Sequence, residues 1–81
     1  LLFPFEVPGK YGFWMKDMLF PIDIIWLSES GIVVDIVENA TPEDYPATYI
    51  NKAPATYALE LPANSARAHG LYLGTKVTIG E

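Results

Sequence analysis

The chain has 81 residues, no cysteine, one histidine and a formal net charge of −5. This length supports one domain with a modest core, which we predict over residues 1–81. The missing cysteines exclude disulfides and cysteine-based zinc sites. Five scattered Lys and Arg residues argue against a nucleic-acid partner. No apolar run approaches the ~20 residues that span a bilayer, so we expect no membrane insertion within this chain.

The first half of the chain is rich in strand-forming residues. Residues 1–5 predict an edge strand, because Pro4 cannot donate a hydrogen bond to a neighbouring strand. A turn is expected over residues 7–10, followed by an aromatic strand over residues 11–16. Residues 22–27 and 32–38 predict two β-branched strands joined by the turn Ser-Glu-Ser-Gly, which together form a hairpin.

The second half mixes a long loop with shorter elements. Residues 39–54 contain three prolines and two tyrosines, and we expect an ordered loop that lies over the sheet. A strand over residues 56–61 leads into a short helix over residues 62–69 that ends at Gly70. The last strand is expected over residues 76–79. The elements predict an all-β fold, a small β-sandwich or barrel-like domain with one short helix near the C-terminus.

The run of residues 11–27 contains three charges among apolar neighbours, Lys16, Asp17 and Asp23. In an extended strand Asp23 shares its side with Ile25 and Leu27, where a carboxylate is costly unless it is paired or hydrogen-bonded. Lys16 and Asp23 could form a catalytic pair with a lysine tuned by burial. A structural ion pair that fixes the register of two strands is the more usual explanation.

Several motifs in this order resemble the signature of the domain-of-unknown-function 192 family. They are FWMK at residues 13–16, PIDI at 21–24, IVVDIVENA at 32–40, ATYALELPA at 55–63 and LGTKV at 73–77. The resemblance implies a compact β-rich fold, found in small prokaryotic proteins that frequently carry an export signal or an anchor upstream. It implies no particular reaction.

Two features depart from the family pattern. The Ala-Arg-Gly-Leu-Met-like stretch that precedes the position of Leu1 in the family is missing, so we expect that the chain lacks an N-terminal segment of the full family domain. An edge left open in this way would invite pairing in a homo-oligomer. Asp17 stands where the family commonly has Asn. The sequence leaves the compartment open, either cytoplasmic or, if a leader or an anchor precedes Leu1, extracytoplasmic.

Several other residues are candidates for ligand sites. Asp17, Asp23, Glu38 and Glu60 could supply oxygen ligands to a hard cation, but no local spacing supports this, and we predict no metal and no cofactor. Aromatic rings beside a few polar groups are typical of small-molecule sites. The candidate ligand-binding residues are Trp14, Lys16, Asp17, Asp23, Tyr49 and Tyr57.

These observations favour a non-enzymatic ligand-binding or accessory module with a cleft near Trp14, Lys16 and Asp23, under the loop of residues 39–54. Its partner would be a small molecule or a protein. One alternative is a small hydrolase or lyase that uses Lys16 with nearby carboxylates. Another is a structural domain that oligomerises through an exposed sheet edge. The sequence identifies no catalytic residue.

Overall fold

The computed structural model describes residues 2–10, 12–14, 19–44 and 48–78, with the backbone alone at residues 6, 13, 14 and 44. These described residues form six strands, a single 3-10 turn at Pro42–Asp44 and one short helix. The strands are β1 (Leu2–Gly9), β2 (Phe13–Trp14), β3 (Ile22–Leu27), β4 (Val33–Ala40), β5 (Thr48–Tyr49) and β6 (Ala55–Pro62), and the helix is α1 (Ser65–Ala68).

Four strands form an antiparallel sheet in the order β1-β6-β3-β4. All six residues of β3 are buried, because this strand lies between β6 and β4 and is covered on both sides. A near-continuous apolar run suits such a position, and β3 reads IDIIWL. Asp23 is the one charge in that run.

The two sides of the sheet carry different side chains, because successive residues of a strand point to opposite sides. On one side, Ile22, Ile24 and Trp26 pack with Ala40, Ala55 and Ala58, and Phe3, Phe5, Val34, Val37 and Tyr49 lie against them. We call this side the aromatic face. On the other side, Ile25, Leu27 and Val33 pack with Ala66 of α1, and this side is the helix face.

Strands β2 and β5 form a two-stranded antiparallel ribbon. The ribbon lies beside the aromatic face, because Tyr49 of β5 packs against the buried residues of that face. The chain that follows β5 is fixed by two polar side chains. The amide of Asn51 is buried and donates to the carbonyl of Gly9 at 2.9 Å, and the carboxylate of Asp35 accepts from the N–H of Lys52 at 2.7 Å. These bonds hold the segment between β5 and β6 against β1 and β4.

The helix face is covered by α1 and the chain after it. Gly70 takes a positive φ of 67° and ends the helix, and Leu71 then packs beside Ala66. The chain continues to Val77, whose N–H donates to the carbonyl of Gly31 at 2.8 Å. In the described part of the chain, no helix is long and apolar enough to cross a membrane.

The predicted all-β fold with one short helix near the C-terminus is confirmed, and several local predictions differ from the structure. The segment expected as a loop over residues 39–54 contains the end of β4, the 3-10 turn and β5. The turn expected over residues 7–10 is wrong, because β1 stays extended to Gly9 across an irregular stretch between Pro4 and Gly9. Pro62 ends β6 and does not enter the helix, which begins at Ser65. Among the described residues, the final strand is reduced to one bridge between Ile32 and Lys76.

Candidate functional site

Asp23 is completely buried, and both of its carboxylate oxygens accept main-chain hydrogen bonds. Oδ1 accepts the N–H of Asn39 at 2.9 Å, and Oδ2 accepts the N–H of Ala66 at 2.9 Å. Amide donors of this kind stabilise an ionised carboxylate that has lost its water. They explain how the sequence can place a charge inside the central strand.

The two amides belong to chain segments that need a partner. Ala66 lies in the first turn of α1, where N–H groups have no acceptor within the helix. Asn64 precedes the helix with φ of 71° and makes no side-chain cap, so Asp23 takes over the role of a capping residue. Asn39 also has a positive φ, 57°, at an irregularity in the pairing of β3 with β4. Asp23 therefore joins the end of β4 to the start of α1.

The aromatic candidates lie on different sides of the sheet. Tyr49 packs against the aromatic face, whereas Tyr57 packs with the helix-face cluster. Asp23 points to the helix face, since it bonds to Ala66 of α1. The structure therefore brings Asp23 and Tyr57 to one side of the sheet and places Tyr49 on the other.

The remaining candidates are described in part or not at all. Trp14 belongs to β2, where its backbone pairs with Thr48 of β5. The adjacent pair in this ribbon is Phe13 with Tyr49. This register places Trp14 in the ribbon that accompanies the aromatic face. Lys16 and Asp17 lie outside the described residues, so the expected pairing of Lys16 with Asp23 stays a prediction.

Glu60, which the sequence suggested only as a cation ligand, is a carboxylate on the aromatic face. Glu60 of β6 lies directly across from Ile24 of β3, and cross-strand partners share a side. It is half-buried, and this burial raises the pKa of its carboxyl above the ordinary value of 4.5. The signal in the sequence is parity: Glu60 is two residues beyond Ala58, so both point to the same side of β6.

Three of the acidic residues suggested as cation ligands, Asp23, Glu38 and Glu60, are described by the structure and make separate contacts. Glu38 lies 3.7 Å from the Nε of Arg67 on the surface beside α1. Asp23 is engaged by main-chain amides, and Glu60 is on the opposite side of the sheet. Within the described ranges, no group of three His, Asp or Glu side chains is arranged to hold a metal ion.

Comparison with known proteins gives one family and two similar structures. The family model DUF192, described as Uncharacterized ACR, matches residues 1–79. A crystal structure from Sinorhizobium meliloti 1021, provisionally described as a transcription regulator, is 32% identical with a TM-score of 0.83. A protein of unknown function from Novosphingobium aromaticivorans DSM 12444 is 29% identical with a TM-score of 0.84.

Both similar structures come from longer chains. The match covers 90% of this chain and 56% of the Sinorhizobium chain, and 93% of this chain and 53% of the Novosphingobium chain. The chain thus spans little more than half the length of these two proteins. No curated protein matches it.

Proposed function

The chain belongs to the DUF192 family, and on that premise we propose that this domain is a non-enzymatic module that binds a small ligand on the aromatic face of its sheet. The observation that carries the proposal is that aromatic rings and the Glu60 carboxylate share one side of the sheet. Half-buried rings of Phe3, Phe5 and Tyr49 pack on the same side of the sheet as this carboxylate. Apolar rings with a few polar groups suit a small-molecule site.

The proposed binding surface differs from the cleft that the sequence predicts near Trp14, Lys16 and Asp23. Asp23 and Tyr57 belong to the helix face and are left out of the surface. Tyr49 remains in it, and Trp14 is kept as a candidate because its backbone belongs to the same ribbon as Tyr49. The proposal also keeps Lys16 and Asp17 as candidates, because they follow Trp14 along the chain.

Binding is favoured over hydrolase or lyase chemistry by the state of Asp23. A general acid or base must reach its substrate with a free oxygen. Both oxygens of Asp23 accept main-chain hydrogen bonds inside the protein, so Lys16 would need another carboxylate as its partner. The acidic charge balance does not suit nucleic-acid phosphates, so DNA binding by this domain is not proposed.

The test is a ligand screen read by tryptophan fluorescence, with two tyrosine variants as a matched pair. Binding on the aromatic face should shift the Trp emission for some apolar or aromatic compounds. Tyr49→Ala should then raise the dissociation constant about tenfold, whereas Tyr57→Ala on the helix face should change it by less than about twofold. Circular dichroism should verify that each variant is folded.

The outcomes separate binding on this face from the alternatives. If no emission shift occurs across broad sets of sugars, lipids, amines and aromatic acids, the binding function is wrong. If Tyr57→Ala abolishes binding and Tyr49→Ala leaves it intact, the ligand occupies the helix face and the proposed surface is wrong.

A further inference from the structure

The chain that follows α1 covers part of one edge of the sheet. We call residues 71–77 the C-terminal chain. Among the described strands, β4 lies at an edge, and its first residue, Val33, makes two main-chain hydrogen bonds with this segment. The N–H of Val33 donates to the carbonyl of Thr75, and its carbonyl accepts the N–H of Gly74, both at 2.9 Å. A loop that occupies a sheet edge in this way keeps other strands from pairing there.

The side chains of the C-terminal chain bury little apolar surface. Its seven residues, all of them described, are half-buried or exposed. Tyr72 and Leu73 are 60% and 68% exposed, whereas Leu71 and Val77 are half-buried against the helix-face cluster. In β3, by contrast, all six residues are buried. Detaching the C-terminal chain therefore exposes much less apolar surface than unfolding the sheet does.

The C-terminal chain also has an internal structure that does not depend on the sheet. The N–H of Thr75 donates to the carbonyl of Tyr72 at 2.9 Å, and the N–H of Tyr72 donates to Oγ1 of Thr75 at 3.0 Å. These reciprocal bonds close a turn. Gly70 stands between this turn and α1, is exposed, and has φ of 67° with open space around it. A glycine in open space can change its backbone angles without a collision, so Gly70 suits a hinge.

We propose that the C-terminal chain is an edge cover that opens as one unit about Gly70 while the four-stranded sheet stays folded. Proteins open locally in cooperative units, and units with few buried apolar contacts open at the lowest free energy. Opening breaks the hydrogen bonds to Val33 and the bond of 2.8 Å from the N–H of Leu71 to the carbonyl of Ala66. It uncovers the outer edge of β4 and keeps the strand order β1-β6-β3-β4 intact.

Native-state hydrogen exchange at neutral pH tests this proposal, because one amide of the sheet reports on the C-terminal chain. The N–H of Val33 belongs to β4, but its acceptor is Thr75. If the C-terminal chain opens alone, Val33 should exchange together with Gly74 and Val77, whose N–H groups donate across the same contact. The three amides should share one protection factor, about tenfold or more below that of Ile25 in β3, and it should depend less on added urea.

Two matched valine variants separate local opening from global unfolding. Val37→Ala truncates a half-buried side chain on the aromatic face, where the contacts persist when the C-terminal chain opens. This variant should lower the protection of Ile25 about tenfold and leave that of Val33 within about twofold of the wild type. Val77→Ala truncates a half-buried side chain of the C-terminal chain itself. It should lower both protection factors by the same factor, because both kinds of opening break its contacts.

The outcomes decide whether the C-terminal chain is a unit of its own. Equal protection of Val33 and Ile25 in the wild-type protein, or an equal loss at both in Val37→Ala, would mean that it unfolds with the sheet and would overturn the proposal. The N–H of Ser28, which donates to the carbonyl of Ile32 at 2.8 Å, reports on the hairpin beneath the cover. Higher protection at Ser28 than at Val33 supports the proposal. Equal protection at these two amides would mean that the hairpin end opens as well, and the proposed unit would be wrong.

Discussion

At the residue scale, Asp23 is a fully buried carboxylate held by main-chain amides from two distant parts of the chain. Its position in an apolar strand predicts a buried carboxylate that needs partners. Those partners are the main-chain amides of Asn39 and Ala66, which are 16 and 43 residues away along the chain. Nearly every residue has a main-chain N–H, so the sequence does not show which of them will donate to Asp23. A charged side chain, Lys16, is therefore the partner that the sequence predicts.

Asp23→Asn should destabilise the protein strongly. The amide turns one acceptor oxygen into an NH₂ group that faces a main-chain N–H, which leaves that N–H without a partner. We expect a loss of about 2–4 kcal/mol in the free energy of unfolding, measured by urea denaturation.

Asp35→Asn is the matched control for that prediction. Asp35 also accepts two main-chain hydrogen bonds, from Ile36 and Lys52, but it is partly exposed and water can replace a lost partner. Its substitution should cost about 1 kcal/mol or less. Equal losses for the two variants would show that burial of Asp23 is not what makes its bonds important.

The contribution of Glu60 to folding stability depends on pH in the opposite direction from that of a typical salt-bridged acid. Its pKa is raised in the folded protein, so its contribution to stability is fully present below about pH 4.5 and is lost as the pH rises through the raised pKa. Glu60→Gln should therefore be slightly more stable than the wild type at neutral pH, by less than about 1 kcal/mol because the side chain is partly exposed. Thermal melts from acidic to neutral pH should show this difference vanish in acid. A variant that is less stable at neutral pH would mean that the charged form is favoured by its surroundings.

At the element scale, the sequence is most informative where apolar residues and turn residues agree. The strand of residues 22–27 has the same bounds in the structure, and the hairpin turn is closed by the N–H of Gly31 donating to the carbonyl of Ser28. Predictions failed where tertiary contacts decide the conformation. The chain from Leu71 to Val77 packs on the helix face through side chains and single hydrogen bonds, and only one bridge of β type joins it to Ile32.

Gly31 is the position where this C-terminal chain comes closest to the hairpin. It has φ of 87°, and a Cβ atom there would collide with the carbonyl oxygen of Val77. Gly74 has a similar φ of 89° with open space around it, which makes it a control for backbone strain alone. Gly74→Ala should cost about 1 kcal/mol, and Gly31→Ala about 3 kcal/mol or more, in the free energy of unfolding.

Chemical denaturation of the two glycine variants measures the contribution of the contact between Gly31 and Val77. The difference between the two losses isolates the collision, because both positions require a positive φ. Losses of the same size would mean that the C-terminal chain moves away without cost, and that it does not hold the hairpin in place.

At the scale of the whole molecule, the sheet divides the candidate residues into two groups. The helix face, with Asp23 and Tyr57, is devoted to packing α1 and the C-terminal chain. The aromatic face combines half-buried rings with a carboxylate. Strand parity could assign each residue to one side of its own strand, but only the pairing of β6 with β3 shows that Glu60 and Ile24 share a side.

The edges of the sheet bear on the predicted homo-oligomer, which remains a prediction. Among the described strands, β1 and β4 lie at the edges. The N–H groups of Val33 and Ile36 in β4 already donate to Thr75 and to Asp35, and β1 contains two prolines without N–H groups. These features leave fewer donors for the pairing of another strand.

The central claim is that the ligand binds on the aromatic face, and amide chemical-shift mapping tests it most directly. With the compound that shifts the Trp emission most added to the ¹⁵N-labelled protein, we predict that the largest amide shifts occur at Phe3, Phe5 and Tyr49. The amides of Ala66, Leu71 and Val77, which lie on the helix face, should change little. The largest shifts on the helix face, or no shifts at millimolar probe concentrations, would contradict the account.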